Sequence, residues 1–189
     1  YYGNENFFKA YPNDDRKEWN YMTEWKIKSG EIIPYTESAD KLPAISKYYD
    51  YDEGAPGKSA QSNGITCIYR YAEVLLMYAE ASTRATNSVN QDALNAIQEV
   101  QKRAGYQDRQ IELTTTTEPT AFLAAVSNER GWEFFAEMKR WFELVRLEKV
   151  KEVRAEEWDA STFNTNHHYY FPVPYQQVDL AGWTNNAGY

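Results

Sequence analysis

Three glutamates recur at intervals of four residues in the second half of the chain: Glu129, Glu133 and Glu137. On an α-helix this spacing places one carboxylate per turn along a single face. Glycoside hydrolysis requires two carboxyl groups about 5 to 10 Å apart, one acting as general acid and the other as base or nucleophile. The spacing of these glutamates is compatible with such an active site.

Arginines accompany these glutamates and favour another interpretation. Arg130 follows Glu129, and Arg140 comes three residues after Glu137. A nearby guanidinium stabilises the ionised form of a carboxylate, whereas a general acid must hold its proton at neutral pH. We therefore interpret these side chains as structural ion pairs that fix how their helix docks, and we assign no catalytic residue. The set comprises Glu129, Arg130, Glu133, Glu137 and Arg140.

Other reactive side chains lack the partners that their chemistry needs. Cys67 is the only cysteine, so we expect a small buried apolar residue with no role in a disulfide or zinc site. His167 and His168 are adjacent, and on an extended chain they would point to opposite sides, unable to bind one metal ion together. Because Gly-rich phosphate loops and G-x-S-x-G elbows are also absent from the sequence, we predict no metal and no cofactor.

Aromatic side chains are the remaining candidates for ligand contact, since Phe, Trp and Tyr make up 16% of the chain. An indole or phenol ring offers a flat apolar face, on which the C–H face of a sugar can stack, together with a polar handle. Five rings at helical positions are expected to be core: Tyr71, Trp132, Phe134, Trp141 and Phe142. Rings in irregular segments are freer to bind a ligand, and we predict four such contacts: Trp19, Tyr21, Trp25 and Trp158.

A pair of helices is the clearest element that the sequence predicts. Residues 65–84 are apolar on most sides of a helical wheel, which indicates a helix buried on most of its surface. Residues 91–104 form an amphipathic pattern that ends at Gly105. A short turn between them predicts an antiparallel, TPR-like hairpin. A single repeat cannot bury both of its faces, so its neighbours are expected elsewhere in the fold or outside this chain.

The flanking segments complete a mainly α prediction with extensive irregular loops and few short strands. A further long helix is predicted from Thr120 to about Glu148, running on through Met138, with Gly131 as a candidate interruption. Residues 1–64 are interrupted by Pro and Gly and form a loop-rich segment with short strands, such as Glu24 to Lys28, whereas residues 65–189 form the helical core and an irregular tail. We expect these two segments as the main divisions of the chain.

Charge and hydropathy exclude several partners. The formal net charge is −8, with 28 acidic and 20 basic residues and no Lys/Arg-rich run. Such a surface attracts neither nucleic acid nor an anionic membrane. No stretch of the sequence approaches the roughly 18 to 20 apolar residues of a membrane span. The N-terminus also lacks the basic and apolar regions of a signal peptide, so we predict that the chain as given is soluble.

Sequence blocks in a fixed order resemble the SusD/RagB family of outer-membrane nutrient-binding lipoproteins. Residues 70–81 (RYAEVLLMYAEA) look like the family pattern R-x-A-E-[VI]-L-L-M-x-A-E-A, and residues 93–105 look like A-L-x-x-I-N-x-V-R-x-R-A-G. Residues 129–146 resemble E-R-x-x-E-L-x-x-E-G-x-R-W-x-D-L-x-R. The ending resembles F-P-I-P and N-P-G-Y, at 171–174 and 186–189. A fainter echo of N-D-x-R lies at 13–16.

Three positions depart from the family pattern. Gly131 stands where the family usually has Arg, Met138 where it usually has Gly, and Ala187 where Pro is common. A methionine at a position that needs positive φ would be strained. We therefore predict that the helix continues through Met138.

The resemblance implies a non-catalytic protein that binds a glycan, or another nutrient, at the bacterial cell surface and delivers it to a SusC-like TonB-dependent transporter. It implies a SusD-like α fold and a lipid anchor in the outer membrane, on a longer chain whose anchor and much of whose glycan surface lie upstream. Two alternatives remain open: a helical protein-interaction module without a glycan site, and an accessory domain of a glycoside hydrolase.

Overall fold

Short and medium helices account for about half of the structure, a computed structural model that describes residues 3–48, 67–153 and 164–189. The prediction of a mainly α chain with few short strands is confirmed. Residue packing divides the chain into Tyr1–Met138 and Lys139–Tyr189. The helices are α1 (Glu5–Ala10), α2 (Asp15–Asn20), α3 (Tyr71–Thr86), α4 (Gln91–Arg103), α5 (Pro119–Glu133), α6 (Arg140–Arg146), α7 (Val150–Val153), α8 (Thr165–His168) and α9 (Tyr175–Ala181), with a 3₁₀ turn at Tyr35–Glu37. The strands are β1 (Tyr21–Met22), β2 (Glu24–Lys26), β3 (Ile32–Pro34) and β4 (Ala44–Ile45).

The N-terminal segment contains two short helices that the hydrophobic pattern did not predict. Each begins at a capping side chain: Asn4 accepts a hydrogen bond from the N–H of Phe7, and Asp14 accepts one from the N–H of Lys17. Helices of six residues are too short for a 3.6-residue period to show. Two antiparallel strand pairs, β1 with β4 and β2 with β3, follow, and the predicted strand near Glu24 is confirmed as β2.

The helical hairpin forms, with one boundary changed. α4 has the predicted inner face, it is capped by the side chain of Asn90, and it is followed by Gly105 at φ +83°, a conformation that favours glycine. α3 begins at Tyr71 and not at residue 65, because the chain at 67–70 is not helical. Residues 65 and 66 lie outside the described residues.

The core of the first unit lies between α3, α4 and α5. Small residues on α3 and α4 let these helices pack closely, and Phe122 and Val126 of α5 close the cluster. Its buried members are Ala72, Leu76, Ala79, Ala93, Leu94, Ala96, Ile97, Val100, Phe122, Val126 and Phe134. Fully buried side chains of this size supply most of the hydrophobic stabilisation of the unit.

α3 is not buried on most sides, so that expectation is wrong for the described part of the chain. Tyr71, Val74, Met77 and Tyr78 are all exposed, at 66%, 53%, 45% and 45%. α4 and α5 cover one side of α3, and its other apolar residues lie on the opposite side. The expected further neighbours of a single helical repeat would pack against this exposed side.

The long third helix is interrupted, which also corrects the prediction that it runs through Met138. α5 ends at Glu133 and α6 begins at Arg140. Between them the N–H of Glu137 bonds to the carbonyl of Phe134 in a tight turn, and Ala136 and Met138 both have φ of 60°. Helical periodicity continues in the sequence, but the backbone leaves the right-handed region at these two residues.

The second unit carries two helices, α8 and α9, in the tail that was expected to be irregular. Pro174 immediately precedes α9, where a proline costs no helical hydrogen bond. Asparagine side chains hold the tail: Asn186 donates to the carbonyl of Phe171 at 2.6 Å, and Asn185 accepts from the N–H of Val173 at 2.8 Å. Within the described ranges, no helix is both long and apolar enough to cross a membrane.

Candidate functional site

A group of ionisable side chains lies in the interior of the first unit, and we call it the ion cluster. It joins α5 and the following turn to α2, to the segment after β4, to the residue before α3, and to the end of α4. Its carboxylates, Asp14 included, are buried, and its cations range from mostly buried to exposed. The members are Asp14, Arg16, Lys47, Arg70, Arg103, Glu129, Glu133 and Glu137.

Glu129 is the most deeply buried carboxylate of the ion cluster, with 0% exposure. Arg16 donates to its Oε1 at 2.7 Å, while Gln101 and Tyr106 donate to its Oε2 at 3.3 and 3.2 Å. Loss of hydration on burial raises the pKa of Glu129, although Arg16 opposes that shift. Both oxygens of Glu129 are thus occupied by protein donors from α2, α4 and the turn after α4.

Glu133 lies one helical turn further on and meets three guanidinium groups of the described residues. Arg16 donates to its Oε2 at 2.7 Å, and Arg70 and Arg103 both donate to its Oε1. Burial opposes ionisation of this carboxyl, but the hydrogen bond and charge of Arg70, with the charges of Arg103 and Arg16, lower its pKa to about 2. Glu133 is therefore ionised at neutral pH.

Glu137 lies in the turn after α5 and is held from two other segments. Arg70 makes a bidentate contact, with Nε 3.1 Å from Oε2 and Nη2 2.8 Å from Oε1, and Lys47 donates to Oε1 at 2.6 Å. Desolvation acts against ionisation, yet the hydrogen bonds from Arg70 and Lys47 lower the pKa of Glu137. This carboxylate fixes the turn to the chain before α3.

Sequence reasoning missed the cations that complete the ion cluster, Arg16 above all. The carboxylate of Asp14 caps α2 and accepts from Arg16 at 2.5 and 2.9 Å, which aims the guanidinium at α5. The faint N-D-x-R block at 13–16 was the available signal for Arg16, and the block that starts at residue 70 contained the signal for Arg70. Neither block indicates which carboxylates these arginines contact, because those carboxylates are distant in sequence.

Arg130 and Arg140, the predicted arginines, lie outside the ion cluster. Arg130 is buried, with Nη2 3.8 Å from Glu73 and its guanidinium 5.3 Å from the ring centre of Phe134. Arg140 begins α6, where Nη1 lies 3.5 Å from Glu143. Glu137 and Arg140 do not share a helical face, because Glu137 lies in the turn between α5 and α6.

The geometry of the ion cluster favours a structural role over proton transfer. A catalytic acid requires a raised pKa and access to substrate. Glu133 and Glu137 have lowered pKa values, and Glu129, whose pKa is raised, is fully enclosed by protein. The arrangement brings buried carboxylates of α5 and the following turn into contact with cations from several chain segments, so that the charges compensate one another.

The predicted ligand aromatics differ in their surroundings. Trp19 is 69% exposed at the end of α2, and Trp25 is half-buried on β2, opposite Ile33. Tyr21 is only 3% exposed, because its ring is enclosed by Phe8, Tyr11 and Phe135 at centroid distances of 4.9, 5.7 and 4.6 Å. The prediction that Tyr21 contacts a ligand is therefore wrong. Trp158 lies outside the described residues.

Two aromatic rings that were expected in the core are exposed. A helical wheel does not show which side of a helix other elements cover. Tyr71 is 66% exposed and Phe142 is 65% exposed, whereas Phe134 is buried and Trp132 and Trp141 are half-buried. Tyr71 lies on the side of α3 that neither α4 nor α5 covers. Helical position thus assigned Phe134 correctly and the two exposed rings incorrectly.

Cys67 and the adjacent histidines also depart from expectation. Cys67 is exposed, because it lies in the non-helical segment before α3 and not on a buried helix face. His167 and His168 belong to α8, where their rings stack at 4.4 Å, so they do not point to opposite sides. Within the described residues, no group of three or more His, Cys, Asp or Glu side chains is arranged to hold a metal ion.

The first unit is thus an α-helical scaffold, in which a helical hairpin packs on a third helix and buried ion pairs join a loop-rich segment to it. The chain belongs to the SusD family, whose pattern matches residues 2–189. SusD-like protein P2 of Formosa agariphila is 28% identical over an alignment of 200 positions, which covers 96% of this chain and 39% of that protein. This finding confirms the resemblance that the sequence blocks indicated.

Solved structures agree in fold. The crystal structure of a SusD superfamily protein from Parabacteroides distasonis matches with a TM-score of 0.76 and 25% identity, covering 100% of this chain and 42% of that chain. Surface glycan-binding protein A from Bacteroides uniformis matches with a TM-score of 0.69 and 24% identity, covering 97% and 40%. The chain thus spans well under half the length of these relatives.

Proposed function

We propose that this chain forms part of a protein that binds a glycan at the bacterial cell surface without making or breaking a bond. Membership of the SusD family over residues 2–189 carries this proposal. A similarly folded protein is named for surface glycan binding, and the acidic net charge of −8 suits a neutral ligand better than an anionic one. Incubation of glycan with purified protein should release no reducing sugar, and release would overturn the non-catalytic assignment.

Trp19 is the side chain we propose as the principal sugar contact among the described residues. Its ring is 69% exposed, and its backbone carbonyl accepts from Ser46 Oγ at 2.8 Å, which ties the end of α2 to the strand region. An exposed ring on a fixed backbone can stack on a sugar without a rearrangement of the main chain, which would otherwise weaken binding. Trp25, on the neighbouring hairpin, and Trp158 are proposed as secondary contacts.

Isothermal titration tests the proposed contacts. Oligomers of starch, mannan, xylan and host glycans would be titrated into the wild type and into Trp19→Ala, Trp25→Ala and Trp158→Ala. Trp19→Ala should weaken binding of the preferred oligomer about tenfold, equivalent to roughly 1.4 kcal/mol of lost stacking. Tyr71→Ala removes a ring of similar exposure on α3 and serves as the matched control. Undiminished binding in all three Trp variants would remove these residues as contacts.

The proposal extends to delivery of the glycan to a SusC-like TonB-dependent transporter at the outer membrane. Family membership supports this partner and a lipid anchor on the longer protein. Detergent extraction of outer membranes, followed by affinity purification of the full-length protein, should recover the transporter. Recovery of the protein from the cytoplasmic fraction, with no transporter attached, would contradict both the location and the partner.

A second candidate function is a helical protein-interaction module without a glycan site. The exposed apolar side of α3, with Tyr71, Val74, Met77 and Tyr78, favours it, because apolar patches on helices are common protein-binding surfaces. The two candidates separate experimentally. A transporter recovered by a protein that binds none of the glycans would support the interaction module, and glycan binding with a measurable affinity would support the first proposal.

A further inference from the structure

The turn between α5 and α6 contains two residues in a conformation that their side chains disfavour. Ala136 and Met138 both have φ of 60°, and neither is glycine. The left-handed region is disfavoured for a residue with a Cβ atom, because that atom crowds the neighbouring carbonyl oxygen. Such backbone persists only where the surroundings over-determine it. Some interaction of the turn must therefore compensate for two strained residues.

Side-chain burial does not provide that compensation at Met138. Its side chain is 90% exposed, so it contributes almost no apolar contact to hold the backbone in place. Glycine adopts a left-handed conformation without strain, whereas this chain carries methionine at the position. The compensation has to come from another residue of the turn.

Glu137, between the two strained residues, is held by hydrogen bonds from two cations. Both of its carboxylate oxygens accept from Arg70, and Oε1 also accepts from Lys47. The same two cations donate to the carbonyl of Glu133 at 2.6 and 3.3 Å. Lys47 and Arg70 therefore each donate hydrogen bonds both to the last residue of α5 and to the turn. The two cations come from segments that are distant in sequence from the turn.

We propose that Glu137 is an ionic lock that holds the turn at residues 134–139, with Ala136 and Met138 in the left-handed conformation. The attraction of its carboxylate to Arg70 and Lys47 fixes the backbone on both sides of residue 137. Without that charge, Ala136 and Met138 relax toward right-handed conformations and the turn opens. The lock acts on the turn that ends where the second unit begins, so it controls the exposure of the chain around Lys139 and Arg140.

Limited trypsin digestion of the native chain tests the lock, because trypsin cleaves after Lys139 and Arg140. Glu137→Gln keeps the size of the side chain and removes its charge, and it should accelerate cleavage at these two sites at least about tenfold. Adding Ala136→Gly and Met138→Gly to Glu137→Gln relieves the strain and should restore slow cleavage. Glu99→Gln, on the exposed side of α4, is the matched control and should leave the rate unchanged.

Cleavage after Lys102 and Arg103 in α4 separates local opening from global unfolding. If Glu137→Gln accelerates cleavage equally at the α4 sites and at the turn, the ion pairs hold the whole fold and the lock is overturned. Met138→Gly in the otherwise unchanged chain gives an independent measure that does not disturb the ion cluster. It should slow cleavage at the turn severalfold, and an unchanged or faster rate would overturn the strain on which the lock depends.

Discussion

Arg16 donates hydrogen bonds to three buried carboxylates, those of Asp14, Glu129 and Glu133. Its guanidinium is mostly buried and lies 5.8 Å from the ring centre of Tyr106. The fork shape of arginine suits several acceptors at once, which a lysine could not match. A single side chain of the N-terminal segment thus compensates charges of α5 that would otherwise be isolated from water.

We expect Arg16→Met to be among the most destabilising substitutions in the chain. Methionine preserves much of the volume and leaves carboxylates buried with less compensation, which typically costs about 3 to 5 kcal/mol. Urea denaturation followed by circular dichroism measures the loss. Arg84→Met removes the arginine of a more exposed pair with Glu80 and should change stability by about 0.5 kcal/mol or less. Similar effects of the two variants would contradict a structural role for the ion cluster.

The acid sensitivity of the fold should come in large part from Glu133. Its pKa is lowered to about 2, so its contribution is fully present above the unfolded value near 4.5 and is lost as the pH falls toward 2. Glu133→Gln lacks this contribution at every pH. The stability difference between wild type and variant should therefore shrink by on the order of 3 kcal/mol between pH 5 and pH 2.

Glu137, whose pKa is lowered, and Glu129, whose pKa is raised, are present both in the wild type and in Glu133→Gln. The difference in unfolding free energy between these two proteins is therefore the quantity that reports on Glu133. Urea midpoints at half-unit pH steps would measure it. A difference that stays constant from pH 5 to pH 2 would show that Glu133 is not held ionised by its arginine neighbours.

At the scale of elements, α3 has two apolar sides with different surroundings. Leu76 is 0% exposed among α4 and α5, whereas its neighbour Met77 is 45% exposed on the other side. A helical wheel shows both as apolar and cannot tell which side meets a partner, because it contains no information about the other helices. The distinction has a direct consequence for stability.

Leu76→Ala should destabilise the chain by about 2 to 5 kcal/mol, since it leaves a cavity in the core of the first unit. Met77→Ala, one residue further along the same helix, should cost less than about 1 kcal/mol because its side chain already meets water. Thermal unfolding of the two variants in parallel provides the measurement. Equal costs would show that the Met77 side of α3 is covered, for example by a second copy of the chain.

The short helices of the N-terminal segment depend on neighbours more than on propensity. α1 and α2 have six residues each, and isolated helices of that length are unstable in water. Tyr11, between them, donates to the carbonyl of Trp132 at 2.7 Å and accepts from Asn20 at 2.8 Å. These contacts tie both short helices to the end of α5, and their existence is a consequence of tertiary packing.

For the molecule as a whole, the net charge of −8 predicts which ligands are excluded. The cations of the ion cluster are paired with carboxylates and are not arranged as a basic surface. We expect the protein to pass through a heparin column at about 0.15 M salt, where surface charges are screened beyond about 8 Å. A basic protein of similar size should be retained. Retention of this chain would argue for an anionic ligand and against a neutral glycan.

The sequence by itself determined the features that depend on local pattern. The inner face of α4, its capping by Asn90 and the glycine that ends it follow from periodicity and side-chain chemistry within 15 residues. The family blocks likewise identified the SusD family, since they are short stretches read in order. Local sequence also marked Glu129, Glu133 and Glu137 as charged residues in need of partners.

Tertiary structure alone decided which partners those carboxylates have. Arg16 and Glu129 are 113 residues apart in sequence, and Arg70 and Glu137 are 67 apart, so no local spacing predicts either pair. The same contacts keep Met138 in a left-handed turn that its own propensity opposes, and packing from several segments buries Tyr21. The ion pairs, the turn at Met138 and the burial of Tyr21 share one physical reason. Hydrophobic periodicity predicts the geometry of a single element, whereas burial and charge compensation depend on the other elements that pack against it.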